Sequence, residues 1–182
     1  MISYLITDPK YYGDNSKSIS SKLKEISKTH RFNFACLRDK NTDIYESFIE
    51  EFMSTCKTLN AKAILHNYLD LALKYNVFGI HFSSENFGKI EQAKKNGLFV
   101  ISSTHSFEEA QKAIKFGSDF VTLSPIFHSP NKANPIGLEK LKEITDKIPN
   151  QIIALGGILN DIDAMSCKKV GAVGFASIRY FI

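Results

Sequence analysis

The chain has 182 residues, 43% hydrophobic and 23% charged, the balance of one globular domain with its own core, and it is read as a single domain over 1–182. Its net charge of +4 comes from Lys and Arg scattered along helix faces with no block of like charge, which argues against a nucleic-acid surface and leaves a mild field favouring anionic ligands. Cys36, Cys56 and Cys167 follow no zinc spacing, Met1–Asp8 lacks the basic start and apolar run of a signal peptide, and no stretch approaches the ~18 apolar residues of a membrane span, so the expectation is a reduced, cytoplasmic protein.

The elements alternate along the chain. Ile2–Ile6 is a short apolar run, followed by a helix over Ser16–Lys28 that places Ile19, Leu23 and Ile26 at helical spacing. Asn33–Leu37 reads as the second strand. Thr42–Lys57 is the next helix, with Ile44, Tyr45, Phe48, Ile49 and Phe52 on one side and Asn41 or Thr42 as cap. Strands over Ala61–Leu65, Phe78–Phe82, Leu98–Ser102, Phe120–Leu123, Gln151–Leu155 and Ala172–Ala176 follow. Between them lie helices over Leu69–Tyr75, Phe87–Lys95, Phe107–Phe116, Leu138–Lys147 and Asp161–Lys169, with Ser106 and Asn160 as caps and Gly97, Gly117 and Gly171 as stops.

Eight strands alternating with seven helices predict parallel βαβ units closing into a compact TIM (β/α)8 barrel, with an open doubly wound sheet as the alternative. An eighth outer helix is missing. Tyr180–Ile182 is expected to plug part of that gap, unless a second copy in a homodimer covers it.

In a barrel of this kind, function sits on the loops that follow the strands. Polar residues gather there: Arg38, Asp39 and Lys40 after the second strand, His66 and Asn67 after the third, Ser83, Ser84, Glu85 and Asn86 after the fourth. Ser103 and His105 follow the fifth, Ser124, His128, Ser129, Asn131 and Lys132 the sixth, Gly156 and Gly157 the seventh, and Ser177 the eighth. Gly156 and Gly157, with Ala176 and Ser177 on the last strand, are the expected phosphate cradle, since glycines let the backbone approach an anion; the simpler reading is a tight turn. Arg38 and Lys40 suit a carboxylate or diphosphate, or a strand-end ion pair. His81 reads as a hydrogen-bonded core histidine, His30 as a surface residue at a helix end, and Cys36 as pointing into the barrel. His66 and His128 take no role from the sequence.

The ordered runs Gly79–Ile80–His81, Ser103–Thr104–His105–Ser106 with Glu108–Glu109–Ala110, Gly117–Ser118–Asp119–Phe120–Val121, Ser124–Pro125–Ile126–Phe127 with Lys132 and Gly137, and Leu155–Gly156–Gly157–Ile158 resemble the thiamine phosphate synthase/TenI family over nearly the whole chain. Arg38–Asp39–Lys40 resembles the family's Arg-x-Lys. The resemblance implies a small-molecule thiazole phosphate as ligand, no nucleic acid or membrane partner, and substrate contacts at Arg38, Lys40, Asn67, Ser103, Ser129 and Lys132.

The family's synthase branch joins a pyrimidine diphosphate to a thiazole phosphate and releases pyrophosphate, using Mg2+ held by two acidic residues. Those positions are Asn67 and Asn86 here, and the family's usual Gln is Cys36. Neutral amides offer Mg2+ no countercharge, so no cofactor is expected unless the synthase alternative holds. The departures point to the tautomerase branch, which moves a proton within a thiazole carboxylate phosphate without metal. The residue matching its acid/base is His105, a side-chain type whose ordinary pKa near neutrality lets it take and give a proton. The alternative is that His105 caps the following helix, a role better filled by Ser106 with Glu109 three residues on. An altered synthase and a non-catalytic binder of phosphorylated ligands stay open.

Overall fold

A computed structural model describes residues 1–39, 42–130 and 133–182. Its order is β1 (Ile2–Ile6), α1 (Pro9–Tyr12), α2 (Ser16–Ile26), β2 (Phe34–Leu37), α3 (Thr42–Tyr45), α4 (Ile49–Thr58), β3 (Lys62–His66), α5 (Leu69–Lys74), β4 (Gly79–Phe82), α6 (Ile90–Lys95), β5 (Phe99–Thr104), α7 (Phe107–Lys115), β6 (Phe120–Leu123), α8 (Gly137–Lys147), β7 (Ile152–Leu155), α9 (Asp161–Lys169) and β8 (Gly174–Ser177). Every neighbouring pair of strands is parallel, and β8 returns to β1 with Ile2 opposite Gly174 and Leu5 opposite Ser177, so the sheet closes as a (β/α)8 barrel.

Period-two alternation divides each strand between two cores. Tyr4, Ile6, Cys36, Ile64, Ile101, Ile153 and Ala176 fill the inside of the barrel. Leu5, Ala35, Leu37, Leu65, Val100, Ile152 and Ala154, one residue out of step, pack outward against the helices. Below the inner layer, Phe34, Phe78 and Phe99 stack on one another, Phe78 to Phe99 at 5.2 Å, and Phe120 meets Phe99 edge-on at 5.6 Å. Polar side chains on the inward-facing register are therefore concentrated towards the strands' C-terminal ends.

Helix entries follow local chemistry. Asn15 and Ser18 form a reciprocal cap on α2, Ser106 accepts from the Glu109 N–H on α7, and Asn160 accepts from the Asp163 N–H on α9. Two stretches predicted as single helices are subdivided: 3-10 turns at Glu46–Phe48 and Ser84–Lys89 precede α4 and α6. The apolar pattern marks the buried face and is blind to one turn tightening from 3.6 to 3.0 residues.

Among the described residues no helix follows β8. The chain turns back, Phe181 is 2% exposed with its ring 6.2 Å from Phe32 and 6.0 Å from Phe175, and the Tyr180 hydroxyl donates to the Asp161 carboxylate. The tail thus packs over the outer side of the last strand, as its apolar character suggested. His30, read as a surface residue, is half-buried, with its ring 5.3 Å from Tyr180. Among the described residues no helix is long and apolar enough to cross a membrane.

Candidate functional site

A cavity of about 530 Å³ opens at the C-terminal ends of the strands. Its walls come from the ends of β1 to β8 and the loops beyond them: Ile6 and Asp8, Arg38, His66, His81, Ser103 and His105, Ser124 and Ser129, Leu155–Leu159, and Ser177–Arg179. Residues distant in sequence converge because all eight parallel strands end on this face. Three cationic side chains of the described lining, Lys10, Arg38 and Arg179, stand against one carboxylate, Asp8, a balance that suits an anionic ligand.

Of the residues singled out from the sequence, Arg38, Ser103, His105, Ser129, Gly156, Gly157 and Ser177 line this cavity. Ala176 is fully buried in the inner core immediately below. Lys40 and Lys132 lie outside the described residues. Asn67 and Asn86 take another position: Asn67 Oδ1 accepts from the Ser83 N–H at 2.8 Å and from its hydroxyl at 3.3 Å, and Asn86 Nδ2 donates to Ser83 Oγ at 3.1 Å. The two amides are tied through one serine, with Asn67 in the left-handed region at φ 64°. This donor set does not fit Mg2+, which is held by carboxylate oxygens whose negative charge offsets its own. Among the described residues no three His, Cys, Asp or Glu side chains are grouped to hold a metal ion.

His105 is fixed on both sides. Its backbone N–H donates to Glu109 Oε2 at 2.8 Å, so Glu109 reaches back to the residue before the cap, while Ser106 holds the helix start. Its ring Nδ1 lies 2.8 Å from the Ser124 carbonyl oxygen. A carbonyl oxygen only accepts, so Nδ1 carries a proton, and in the neutral form of the ring Nε2 is the bare nitrogen.

Gly156 and Gly157 have φ of 97° and 71°. A Cβ on Gly156 would stand 2.7 Å from Pro125 Cα, and one on Gly157 2.6 Å from the His128 carbonyl oxygen. The Ile126 and Phe127 N–H groups donate to the Leu155 and Gly156 carbonyls at 2.9 Å. The glycines therefore let the loops after β6 and β7 touch. Among the described residues, the N–H groups of Gly157, Ile158, Ile178 and Arg179 have no backbone or side-chain acceptor. The Ser177 hydroxyl donates to the Ile158 carbonyl at 2.9 Å and accepts from the Tyr180 N–H at 3.1 Å, tying the two loops together.

Arg38 donates from Nη1 to Asp8 Oδ2 at 3.0 Å. His81 is 2% exposed and bonded at both nitrogens, to the Tyr4 hydroxyl at 2.8 Å and to Ser103 Oγ at 2.7 Å. Burial, and then the charges of His66 and Arg38, hold it well below the usual histidine range, so it is neutral. Burial pushes the Cys36 thiol up to about 12, which leaves it protonated and a poor nucleophile. Lys10 and Arg179 were not singled out from the sequence; the signal for them is position alone, since each follows the end of a barrel strand.

The fold and cavity define a compact (β/α)8 barrel with a cationic pocket at the C-terminal ends of its strands. The model of the thiamine monophosphate synthase family matches residues 3–181, and the chain belongs to that family. It is 34% identical, over 98% of its length and 96% of the relative's, to the protein named "Putative thiamine-phosphate synthase 2" of Aquifex aeolicus. It is 31% identical to the thiamine-phosphate synthase of Clostridium novyi, covering 96% and 87% of the two chains. Among solved structures, thiamine phosphate pyrophosphorylase from Pyrococcus furiosus superposes with a TM-score of 0.82 at 27% identity, over 97% of this chain and 85% of that one.

Proposed function

We propose that this barrel binds a phosphorylated thiazole carboxylate and moves a proton on it, without a metal ion, with His105 as the acid/base. The observation that carries this reading is the 2.8 Å contact of His105 Nδ1 with the Ser124 carbonyl, which leaves Nε2 to take a proton from a ligand in the cavity and return it elsewhere on the ring. The Gly157, Ile158, Ile178 and Arg179 amides supply donors for the phosphate, with Gly156, Gly157 and the Ser177 bridge holding the two loops at the required separation. Arg38 supplies positive charge for the carboxylate, and Ser103 and Ser129 supply hydroxyls. Ring aromatisation of the thiazole carboxylate phosphate in the presence of EDTA tests it: a rate above background, lost in His105→Ala, is expected. No rate above background, or an undiminished rate in His105→Ala, overturns it.

A second reading, synthesis of thiamine phosphate from a pyrimidine diphosphate and a thiazole phosphate, is favoured by the names of the relatives. It requires an Mg2+ site at Asn67 and Asn86, where both side chains are neutral and engaged with Ser83. Pyrophosphate release that depends on Mg2+ and rises in Asn67→Asp/Asn86→Asp supports this second reading. Tight binding of the thiazole phosphate with no turnover in either assay marks a non-catalytic binder.

A further inference from the structure

Tyr4, His81 and Ser103 form a hydrogen-bonded chain from the middle of the barrel to the cavity wall. The Tyr4 hydroxyl lies 2.8 Å from His81 Nδ1, and His81 Nε2 lies 2.7 Å from Ser103 Oγ. The Tyr4 and His81 rings are stacked with centroids 5.7 Å apart, so the imidazole has little freedom to turn. Cys36 lies buried with Tyr4 in the same inner cluster.

A neutral imidazole has one N–H and one bare nitrogen, so the chain can run in only two directions. In one, Tyr4 donates to Nδ1, Nε2–H donates to Ser103 Oγ, and the serine's own proton is left for the cavity. In the other, Nδ1–H donates to Tyr4, Tyr4 spends its proton on the Cys36 sulfur, and Ser103 donates inward to Nε2. A phenol bonding an imidazole nitrogen is a strong neutral hydrogen bond, whereas thiol sulfur is a weak acceptor. The first direction wins.

We propose that Tyr4 and His81 are positioning residues that leave the Ser103 proton free for the cavity, so that Ser103 offers a hydrogen-bond donor to an acceptor atom of the ligand: a carboxylate oxygen, a phosphate oxygen or a bare ring nitrogen. This rests on the cavity being the ligand site, as the proposed function has it, while its first test does not. The groups facing His81 are Tyr4, Ser103, His66 at 5.7 Å between ring centroids, and the Arg38 guanidinium. Both His66 and Arg38 oppose a second proton on the ring, which keeps the single tautomer in place.

The imidazole nitrogen shifts of the full chain, recorded without ligand, read the tautomer directly. The expected result is His81 protonated at Nε2 and bare at Nδ1, with no titration around neutral pH; an Nδ1–H tautomer, or a doubly protonated ring, overturns the proposal. The second measurement is a double-mutant cycle on binding of the thiazole carboxylate phosphate. Ser103→Ala should weaken binding roughly tenfold in the wild-type background and much less in Tyr4→Phe, which keeps the ring and removes the proton that sets the chain. Penalties that simply multiply overturn it. If that probe does not bind the wild-type protein, the proposed function fails, while the tautomer measurement still decides the direction of the chain.

Discussion

Arg38 and Asp8 meet at the mouth of the barrel, Nη1 to Oδ2 at 3.0 Å, while the other oxygen of Asp8 accepts from the Lys10 N–H at the start of α1. One carboxylate thus holds a cation from β2 and the first turn after β1. The two side chains are 26% and 27% exposed, so the pair is partly screened and contributes at most about 1 kcal/mol to stability. Asp8→Asn keeps the acceptor for Lys10 and releases the guanidinium. The expected outcome in chemical denaturation is a stability loss within that limit, with unchanged or tighter binding of the thiazole carboxylate phosphate. Arg38→Ala should weaken that binding roughly tenfold, the effect of losing a charge-assisted contact. Weaker binding in Asp8→Asn would show instead that Arg38 needs its partner to stay aimed at the ligand.

His81 gives the fold a pH dependence of known sign. Its folded pKa lies well below 6.5, chiefly through burial, while the unfolded residue titrates near ~6.5. Below that pH the unfolded chain takes up a proton that the folded chain refuses. Stability from this residue is therefore full above ~6.5 and falls by up to about 1.4 kcal/mol per pH unit as the pH drops towards the folded value. Urea midpoints measured at pH 7.5 and 5.5 should differ accordingly, and His81→Asn should flatten the difference while lowering stability at both. An equal slope in that variant assigns the acid sensitivity to other groups.

Gly157 and Gly97 separate two costs that a sequence cannot distinguish. Both have positive φ, 71° and 80°. A Cβ on Gly97 meets nothing within 4 Å, whereas one on Gly157 meets the Phe127 and His128 backbone at 2.6 Å. Gly97→Ala should cost about 1 kcal/mol, from the strained backbone alone. Gly157→Ala should cost clearly more, about 2–4 kcal/mol, and should also impair ligand binding because the loop after β6 must move. Equal losses would mean that the two loops yield freely.

The barrel was legible because burial imposes a period of two on every strand, and that period assigned Cys36 to the interior from its neighbours alone. The four-residue α1 was not, since so short a segment repeats no apolar spacing. In the site, His105 and Ser106 could be separated from local sequence, because a cap and its partner lie three residues apart. The partners of His81 could not: Tyr4 is 77 residues away and Ser103 is 22, and only closure of the sheet brings them together. Gly156 and Gly157 drew attention for an anion, yet their tightest constraint is the loop after β6, another contact that only the fold creates.

Phe181 tests what covers the outer side of β8. It stands where an eighth helix would pack, with its ring near Phe32, Phe175 and Tyr180, and Tyr180 is held in turn by Asp161 on α9. If the tail is part of the outer core, Phe181→Ala removes a fully packed aromatic side chain and should cost about 3–5 kcal/mol, the usual penalty for that truncation. Tyr180→Phe should cost only about 1 kcal/mol, for one hydrogen bond on a partly exposed pair. Urea midpoints of both variants, compared at several protein concentrations, check the assignment. A small loss in Phe181→Ala, or a loss that shrinks as the concentration rises, would transfer the covering role from the tail to a second copy of the chain.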